Sequence, residues 1–280
     1  LILANGRISD RSFPRYRMAG KLLPPILDTI SEYCMQSEQD SRRIRHLGAP
    51  AGRVRVTGNL KFDMQPPQID IEELEALRRQ LRLPGNARIW VAGSTHDGEE
   101  KQLAEVYQRL REICPELFLI LVPRHPERCR QVQDEMGKQN FATTLRSSLA
   151  VMSKNLQPGE IMIVDTLGEM LKLYALSELV FVGGSLVDIG GHNILEAALL
   201  KKPVMYGHHM QNFKEIARLV RAAHAGLQVK NADDLYRQMR ILIENPDEAV
   251  RIGENGHHLL EENRGATQRT LEVIDRRILT

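Results

Sequence analysis

Short, mostly apolar runs alternate along this chain with longer stretches whose apolar residues recur every three or four positions. The runs at 1–4, 33–36, 54–57, 88–92, 118–122, 161–164, 179–182, 204–206 and 227–229 are strand-sized. They carry little polar alternation, as expected of strands buried on both faces. The amphipathic stretches predict helices over 21–30, 38–47, 71–80, 98–113, 127–138, 168–175, 193–200, 212–222 and 233–244. Strand–helix alternation of this kind predicts an α/β protein with parallel, doubly wound sheets. Two further helices, 247–262 and 266–278, follow without an intervening strand.

The proline-punctuated stretch Met64-Gln65-Pro66-Pro67-Gln68 interrupts this pattern, and a domain boundary is expected near Gly58, just ahead of it. That predicts an incomplete first domain at 1–58, a complete second at 59–265, and a final helix at 266–280 returning to the first. The 280 residues provide ample core for both. A net charge of +2, from 38 basic and 36 acidic residues, creates no field that would recruit nucleic acid. Cys34, Cys114 and Cys129 are odd in number and lack metal-ligand spacing, so they read as ordinary thiols of a reducing compartment. The apolar runs are too short to cross a bilayer as helices. The opening residues, Leu1 to Asn5, read as a mid-domain strand without an initiating Met, so the C-terminal portion of a longer protein is expected.

Five segments fall at strand-to-helix junctions, the edge where open α/β sheets bind ligands. The last is the richest: an apolar run ends in Gly183-Gly184-Ser185, and Gly190-Gly191 leads to His192-Asn193 and a helix-like run containing Glu196. Glycines let a backbone approach an anion closely, and a helix start supplies N–H groups and a positive dipole end. Glu196, one turn on, can accept ribose hydroxyls. A tight βα turn without a ligand is the plainer reading of the same residues. Gly93-Ser94-Thr95-His96 offers hydroxyls that cap a helix or bind an anion, with Asp97 or Glu100 completing the cap. In Pro123-Arg124-His125-Pro126-Glu127-Arg128, a guanidinium suited to phosphate emerges at a strand end. His125 there is a ligand contact or a capping residue, and Arg128 a ligand contact or an ion-pair partner. Asp165-Thr166-Leu167-Gly168-Glu169 could embrace a nucleobase edge or simply begin a helix, and Thr57-Gly58-Asn59-Leu60-Lys61 is the remaining segment.

In this order and spacing, the chain resembles the bacterial 3-deoxy-D-manno-octulosonic acid (Kdo) transferases of lipopolysaccharide assembly. Ala4-Asn-Gly-Arg-Ile-Ser9 and Thr57-Gly-Asn-Leu-Lys-Phe-Asp63 fit as well, and the resemblance runs from Leu1 to about Gln268. It implies a GT-B architecture of two Rossmann-like domains, here with an acceptor-side piece at 1–58 and a donor domain at 59–265. It also implies CMP-Kdo as donor, a lipid A precursor as acceptor, inversion at the anomeric carbon, and no metal or other cofactor. The implied donor-binding residues are Lys61, Gly93, Ser94, Thr95, Pro123, Arg124, His125, Leu167, Gly168, Glu169, Gly184, Ser185, Gly191, His192, Asn193 and Glu196. CMP leaves as a phosphate monoester of low pKa, so cations and N–H dipoles matter more than a general acid.

Two departures stand out. The family's Asn-Pro-Leu-Glu-Pro-Ala is Asn193-Ile-Leu-Glu-Ala-Ala198 here, and the membrane anchor and the Gly-Glu segment carrying the family's base are not found. The expectation is therefore a soluble donor-binding half, inactive by itself, of an enzyme at the cytoplasmic face of the inner membrane. A UDP-sugar GT-B transferase or epimerase and a non-catalytic nucleotide-binding module are the rival readings. His208-His209 and His257-His258 lack a third metal ligand at convincing spacing. Arg7, Arg11, Arg15, Arg17 and Lys21, with Phe13 and Tyr16, suit acidic lipid headgroups or acceptor phosphates as well as they suit a solvated loop.

Overall fold

The computed structural model describes residues 1–278, which form two compact units. One comprises Leu1–Gln65 with the chain from Leu260 onward; the other is Pro66–Leu259.

In the first unit, β1 (Ile2–Gly6), β2 (Glu32–Met35) and β3 (Val54–Val56) form a parallel sheet in that order. Ile8, Leu27, Tyr33, Met35, Ile44 and Leu47 make its core. The helix Glu38–His46 is capped by Ser37, whose hydroxyl accepts the Asp40 N–H at 3.1 Å. Asp40 in turn accepts the N–H of Ile8 at 2.8 Å, tying the exit of β1 to that helix.

The boundary lies after Gln65 rather than at Gly58. Hydrogen bonds explain the difference. The Leu60 N–H donates to Asn5 Oδ1 at 3.2 Å, and Asp63 accepts the N–H groups of Gly265, at 2.7 Å, and Thr267. Asp63 thus caps the helix Ala266–Ile278, and Arg269 Nε of that helix donates to the Thr57 carbonyl at 2.8 Å. Ala266, Thr270 and Val273 are its buried positions, and Leu271 is exposed. The side chain of Ile278 lies outside the described residues.

In the second unit, seven parallel strands are ordered β10-β9-β8-β4-β5-β7-β6. They are β4 (Arg88–Thr95), β5 (Leu117–Pro123), β6 (Thr143–Leu145), β7 (Ile161–Ile163), β8 (Leu179–Val182), β9 (Val204–Tyr206) and β10 (Leu227–Gln228). Trp90, Leu119, Leu121, Ile163 and Phe181 on the central strands share a core with Leu103, Val106, Tyr107 and Leu110 of the helix Glu99–Arg111. The first strand, β4, sits in the middle. Later strands build outward from it on both sides, so the strand order reverses between β4 and β8. The carboxyl ends of these two strands are the place such sheets hold ligands.

Two elements escape the hydrophobic pattern. The helix Ser12–Met18 buries none of its residues, and edge strand β6 is short and rich in threonine. The helix expected over 193–200 is only Leu195–Leu199, because Asn193 Oδ1 accepts the Leu195 N–H at 3.3 Å and ends the preceding loop.

Candidate functional site

The ends of β4 and β8 are drawn together by two glycines. The Gly183 N–H donates to the Gly93 carbonyl at 2.8 Å. A Cβ on Gly183 would lie 2.6 Å from the Ser94 carbonyl oxygen, and one on Gly93 would lie 2.0 Å from the Tyr174 hydroxyl. The helix Met170–Leu176 therefore packs directly over the end of β4 and brings the loop before it, Leu167 to Glu169, to the same edge. Gly184 turns the chain with a left-handed φ of 64°, and a Cβ there would fall 2.9 Å from the His192 ring and 3.3 Å from that of His96.

The first turn of the glycine loop does not offer its amides to a ligand. Glu99, fully buried, accepts the N–H groups of Gly184 at 2.6 Å, Ser185 at 2.9 Å and Leu186 at 2.8 Å, and also that of His96 at 3.0 Å. Its carboxylate occupies the place a bound anion would take in an open amide cradle. The Ser185 hydroxyl donates to the Val182 carbonyl and accepts the Gly207 N–H, while the Gly191 N–H donates to the Gly184 carbonyl at 2.7 Å. Gly184, Ser185 and Gly191, expected as donor contacts, are thus shaping residues with committed N–H groups. Thr95 is also withdrawn: it is buried, and its hydroxyl donates to Glu100 at 3.1 Å.

What remains open at this edge is cationic. Ser94 is held at a left-handed φ of 55°, a conformation costly for a non-glycine residue, and its hydroxyl has no partner among the described residues. Pro123 ends β5 in register with Thr95. Arg124 follows, exposed, with its N–H on the Thr95 carbonyl at 3.0 Å and no carboxylate partner among the described residues. His96 and His192 meet Nε2 to Nε2 at 2.8 Å, and the His125 ring stands edge-on to His96 at 5.8 Å. Burial, then the His96, Arg124 and His125 charges, holds the His192 pKa down at about 4. Burial and the charges of His125, Arg128 and Arg124 lower that of His96 too. Arg128 is neutralised, its two terminal nitrogens reaching Asp97 at 3.2 Å and Glu100 at 3.1 Å. Burial raises the Glu100 pKa against this pairing.

The other expected residues fall into two groups. Asn193 Nδ2 donates to Glu196 at 3.3 Å, so these two act as one polar unit on the short helix beside Met170–Leu176. Leu167 is 84% exposed and Gly168 has a φ of 84°, so this loop presents backbone and an apolar side chain outward. Glu169 itself is engaged by Arg146 Nη2 at 2.9 Å and by the Thr166 hydroxyl. Lys61 belongs to the other unit, in the turn Leu60–Asp63. Sequence reasoning missed Glu99 and the pairing of His96. The repeated carboxylates of Asp97-Gly98-Glu99-Glu100 read only as a helix start, and nothing local says which one reaches a loop 85 residues away.

The edge thus gathers Arg124 without a carboxylate partner among the described residues, two joined histidines and a hydrogen-bonded Asn193–Glu196 pair. Residues 1–64 match the family described as 3-deoxy-D-manno-octulosonic-acid transferase (kdotransferase). Over 274 residues the chain is 36% identical to the 3-deoxy-D-manno-octulosonic acid transferase of Haemophilus influenzae, covering 98% of this chain and 63% of that protein. The chain therefore spans less than two thirds of that relative's length. The crystal structure of the C-terminal CMP-Kdo binding domain of WaaA from Acinetobacter baumannii is 31% identical, with a TM-score of 0.61, covering 68% of this chain and 97% of that one. Anabaena Alr3699/HepE in complex with UDP-glucose, 17% identical with a TM-score of 0.61, covers 100% of this chain and 72% of its own and shares the GT-B fold. By both sequence and fold, the chain belongs to the 3-deoxy-D-manno-octulosonic acid transferase family of GT-B glycosyltransferases.

Proposed function

We propose that the protein serves the transfer of Kdo from CMP-Kdo to a lipid A precursor in lipopolysaccharide core assembly, with inversion and without a metal. One observation carries this reading. Ser94, Arg124 and the His96–His192 pair gather at the switch point of a unit similar to a CMP-Kdo binding domain. Arg124 and Ser94 hold the donor phosphate, Asn193 and Glu196 the ribose, and the Leu167–Gly168–Glu169 backbone the cytosine edge. Fixed cations rather than a divalent ion neutralise the phosphate as the sugar departs.

The acceptor and the membrane belong to the first unit in this reading. There Tyr16, Met18, Leu22 and Ile26 are exposed next to the exposed Arg11, Arg15 and Arg17. Apolar side chains among arginines suit the boundary of acyl chains and anionic headgroups, which favours the cytoplasmic face of the inner membrane. Among the described residues no helix is long and apolar enough to cross a membrane. The first test is thermal shift with CMP, UMP and UDP, in which CMP alone should raise the melting temperature. An equal or larger shift with UDP would replace the CMP-sugar reading with a UDP-sugar one. Kdo transfer to a lipid A precursor is the second test.

A further inference from the structure

We infer that His96 and His192 act as one proton-accepting unit, which takes up a proton from solution when a phosphoryl anion settles beside Arg124. The inference rests on the donor-site reading above and adds two residues acting jointly to it.

The geometry sets the proton count. Nε2 of each ring is spent on the other at 2.8 Å, and the rings are almost parallel, 6° apart. A side chain at Gly184 would keep them apart, since its Cβ would fall 2.9 Å from His192 and 3.3 Å from His96. The Nδ1 atoms have no partner among the described residues. A neutral imidazole carries one N–H. In the neutral pair the central bond uses the proton of one ring, which leaves that ring with a bare Nδ1 and the other with Nδ1–H. One outward nitrogen donates and the other only accepts. A single added proton turns both outward nitrogens into donors and gives the pair a positive charge. An anion needs donors, so anion binding and proton uptake go together.

The surrounding charges decide when this happens. On the loop of the pair's own β4 strand, Glu99 is spent on backbone amides and Asp97 on Arg128. From the end of β5 come Arg124, His125, which faces Glu127 at 3.5 Å, and Arg128, neutralised by Asp97 and Glu100. On the loop following β8, Asp188 faces His209 at 3.4 Å. Arg124 has no carboxylate partner among the described residues, and burial, then the charges of His96, Arg124 and His125, opposes the extra proton on His192. An anion within about 4–6 Å reverses that field and favours the charged form by roughly ten- to a thousandfold. When the sugar–oxygen bond breaks, its electron pair stays on the phosphate oxygen and the phosphate gains a second negative charge. A cationic pair stabilises that product charge more than the singly charged donor. The added proton comes from buffer, and no bond to the ligand is made or broken in its uptake.

The test is titration calorimetry near pH ~6, above the His192 value of about 4 and below that of ordinary imidazole, in two buffers of different ionisation enthalpy. The ligands are CMP and its methyl phosphodiester, which has no titrating group in this range. The expected result is uptake of roughly a tenth to nine tenths of a proton per diester bound, lost in His96→Gln and His192→Gln and retained in His125→Gln. Ring-nitrogen NMR of the unaltered protein should show both histidines moving toward the charged form on adding diester, which guards against a variant that folds poorly. Uptake with CMP but not with the diester assigns the proton to the ligand and overturns the inference. Binding of both without uptake, or uptake that vanishes only in His125→Gln, overturns it while leaving the donor site intact. Absence of binding by either ligand removes the donor-site reading and the inference together.

Discussion

Glu99 Oε2 lies 2.6 Å from the N–H of Gly184, joining the loop after β4 to the glycine loop after β8. A glycine-rich loop after a strand is usually read as a cradle for a ligand's phosphate. Here the protein supplies the anion itself. The first turn of the loop is preset in shape, with its amides already used.

Removing that carboxylate should be costly. Glu99→Ala leaves the N–H groups of His96, Gly184, Ser185 and Leu186 without an acceptor in a buried place. A loss of about 3 kcal/mol in unfolding free energy is expected, on the scale of one to several unsatisfied buried groups. Glu99→Gln keeps one oxygen but turns an NH₂ toward two of these donors, and should lose roughly half as much. Urea unfolding of the three proteins measures this. Equal stability of Glu99→Ala and the parent would mean that the loop amides find other partners.

Gly93 sets how closely the helix Met170–Leu176 covers the end of β4. Gly93→Ala places a methyl 2.0 Å from the Tyr174 hydroxyl and 2.8 Å from Met170 Sδ, so about 1–3 kcal/mol of overpacking is expected. Tyr174→Phe in the same protein removes the nearer obstacle and should restore part of that loss. A double-mutant cycle on thermal or urea stability reads the coupling. Additivity of the two changes would show that the helix moves aside instead.

The alternation of apolar runs with amphipathic stretches was enough to place nearly every strand and helix, because buried parallel strands are locally apolar whatever surrounds them. It failed where tertiary contacts decide the matter. Thr143–Leu145 becomes a strand by pairing with Ile161–Ile163, and residues 59–65 join the first unit through distant partners that include Asn5, Arg264, Gly265 and Thr267. The site was legible to the level of its strand ends. Which groups there are already used was not: a sequence shows Ser185 and Thr95 as hydroxyls, but not that Val182, Gly207 and Glu100 consume them.

The lowered pKa of His192 makes stability depend on pH in a definite sense. Its folded value, about 4, lies below the ordinary 6.5, so the unfolded chain binds this proton first. Stability from this group is complete above about pH 6.5 and is lost as pH falls toward 4. His192→Gln should therefore lose less stability than the parent across that window. Urea midpoints at a series of pH values test it, and parallel curves for the two proteins would count against the buried neutral pair.

If Glu196 accepts ribose hydroxyls, its removal should matter only when they are present. Glu196→Ala should weaken CMP by roughly 1–3 kcal/mol and leave 2′,3′-dideoxy-CMP almost unaffected. Calorimetric affinities for both nucleotides in both proteins form the cycle. An equal loss for the two ligands would move Glu196 from the ribose to a role in holding Asn193.

Arg124 is exposed at this edge without a carboxylate partner among the described residues, and that gives it the largest expected effect on phosphate binding. A charge-assisted hydrogen bond to phosphate is worth about 1.5–3 kcal/mol, so Arg124→Ala should weaken CMP by roughly 10- to 150-fold. Arg124→Lys keeps the charge but loses the planar pair of donors, and should fall between the two. The cytidine nucleoside, lacking the phosphate, should bind the parent and Arg124→Ala alike. Metal enters the same experiment. If fixed cations neutralise the phosphate, EDTA leaves CMP affinity unchanged in the parent. Added magnesium should not rescue Arg124→Ala, because no cluster of metal-holding side chains is found among the described residues. A magnesium requirement in the parent would transfer the phosphate from Arg124 to a metal and sink the metal-independent reading.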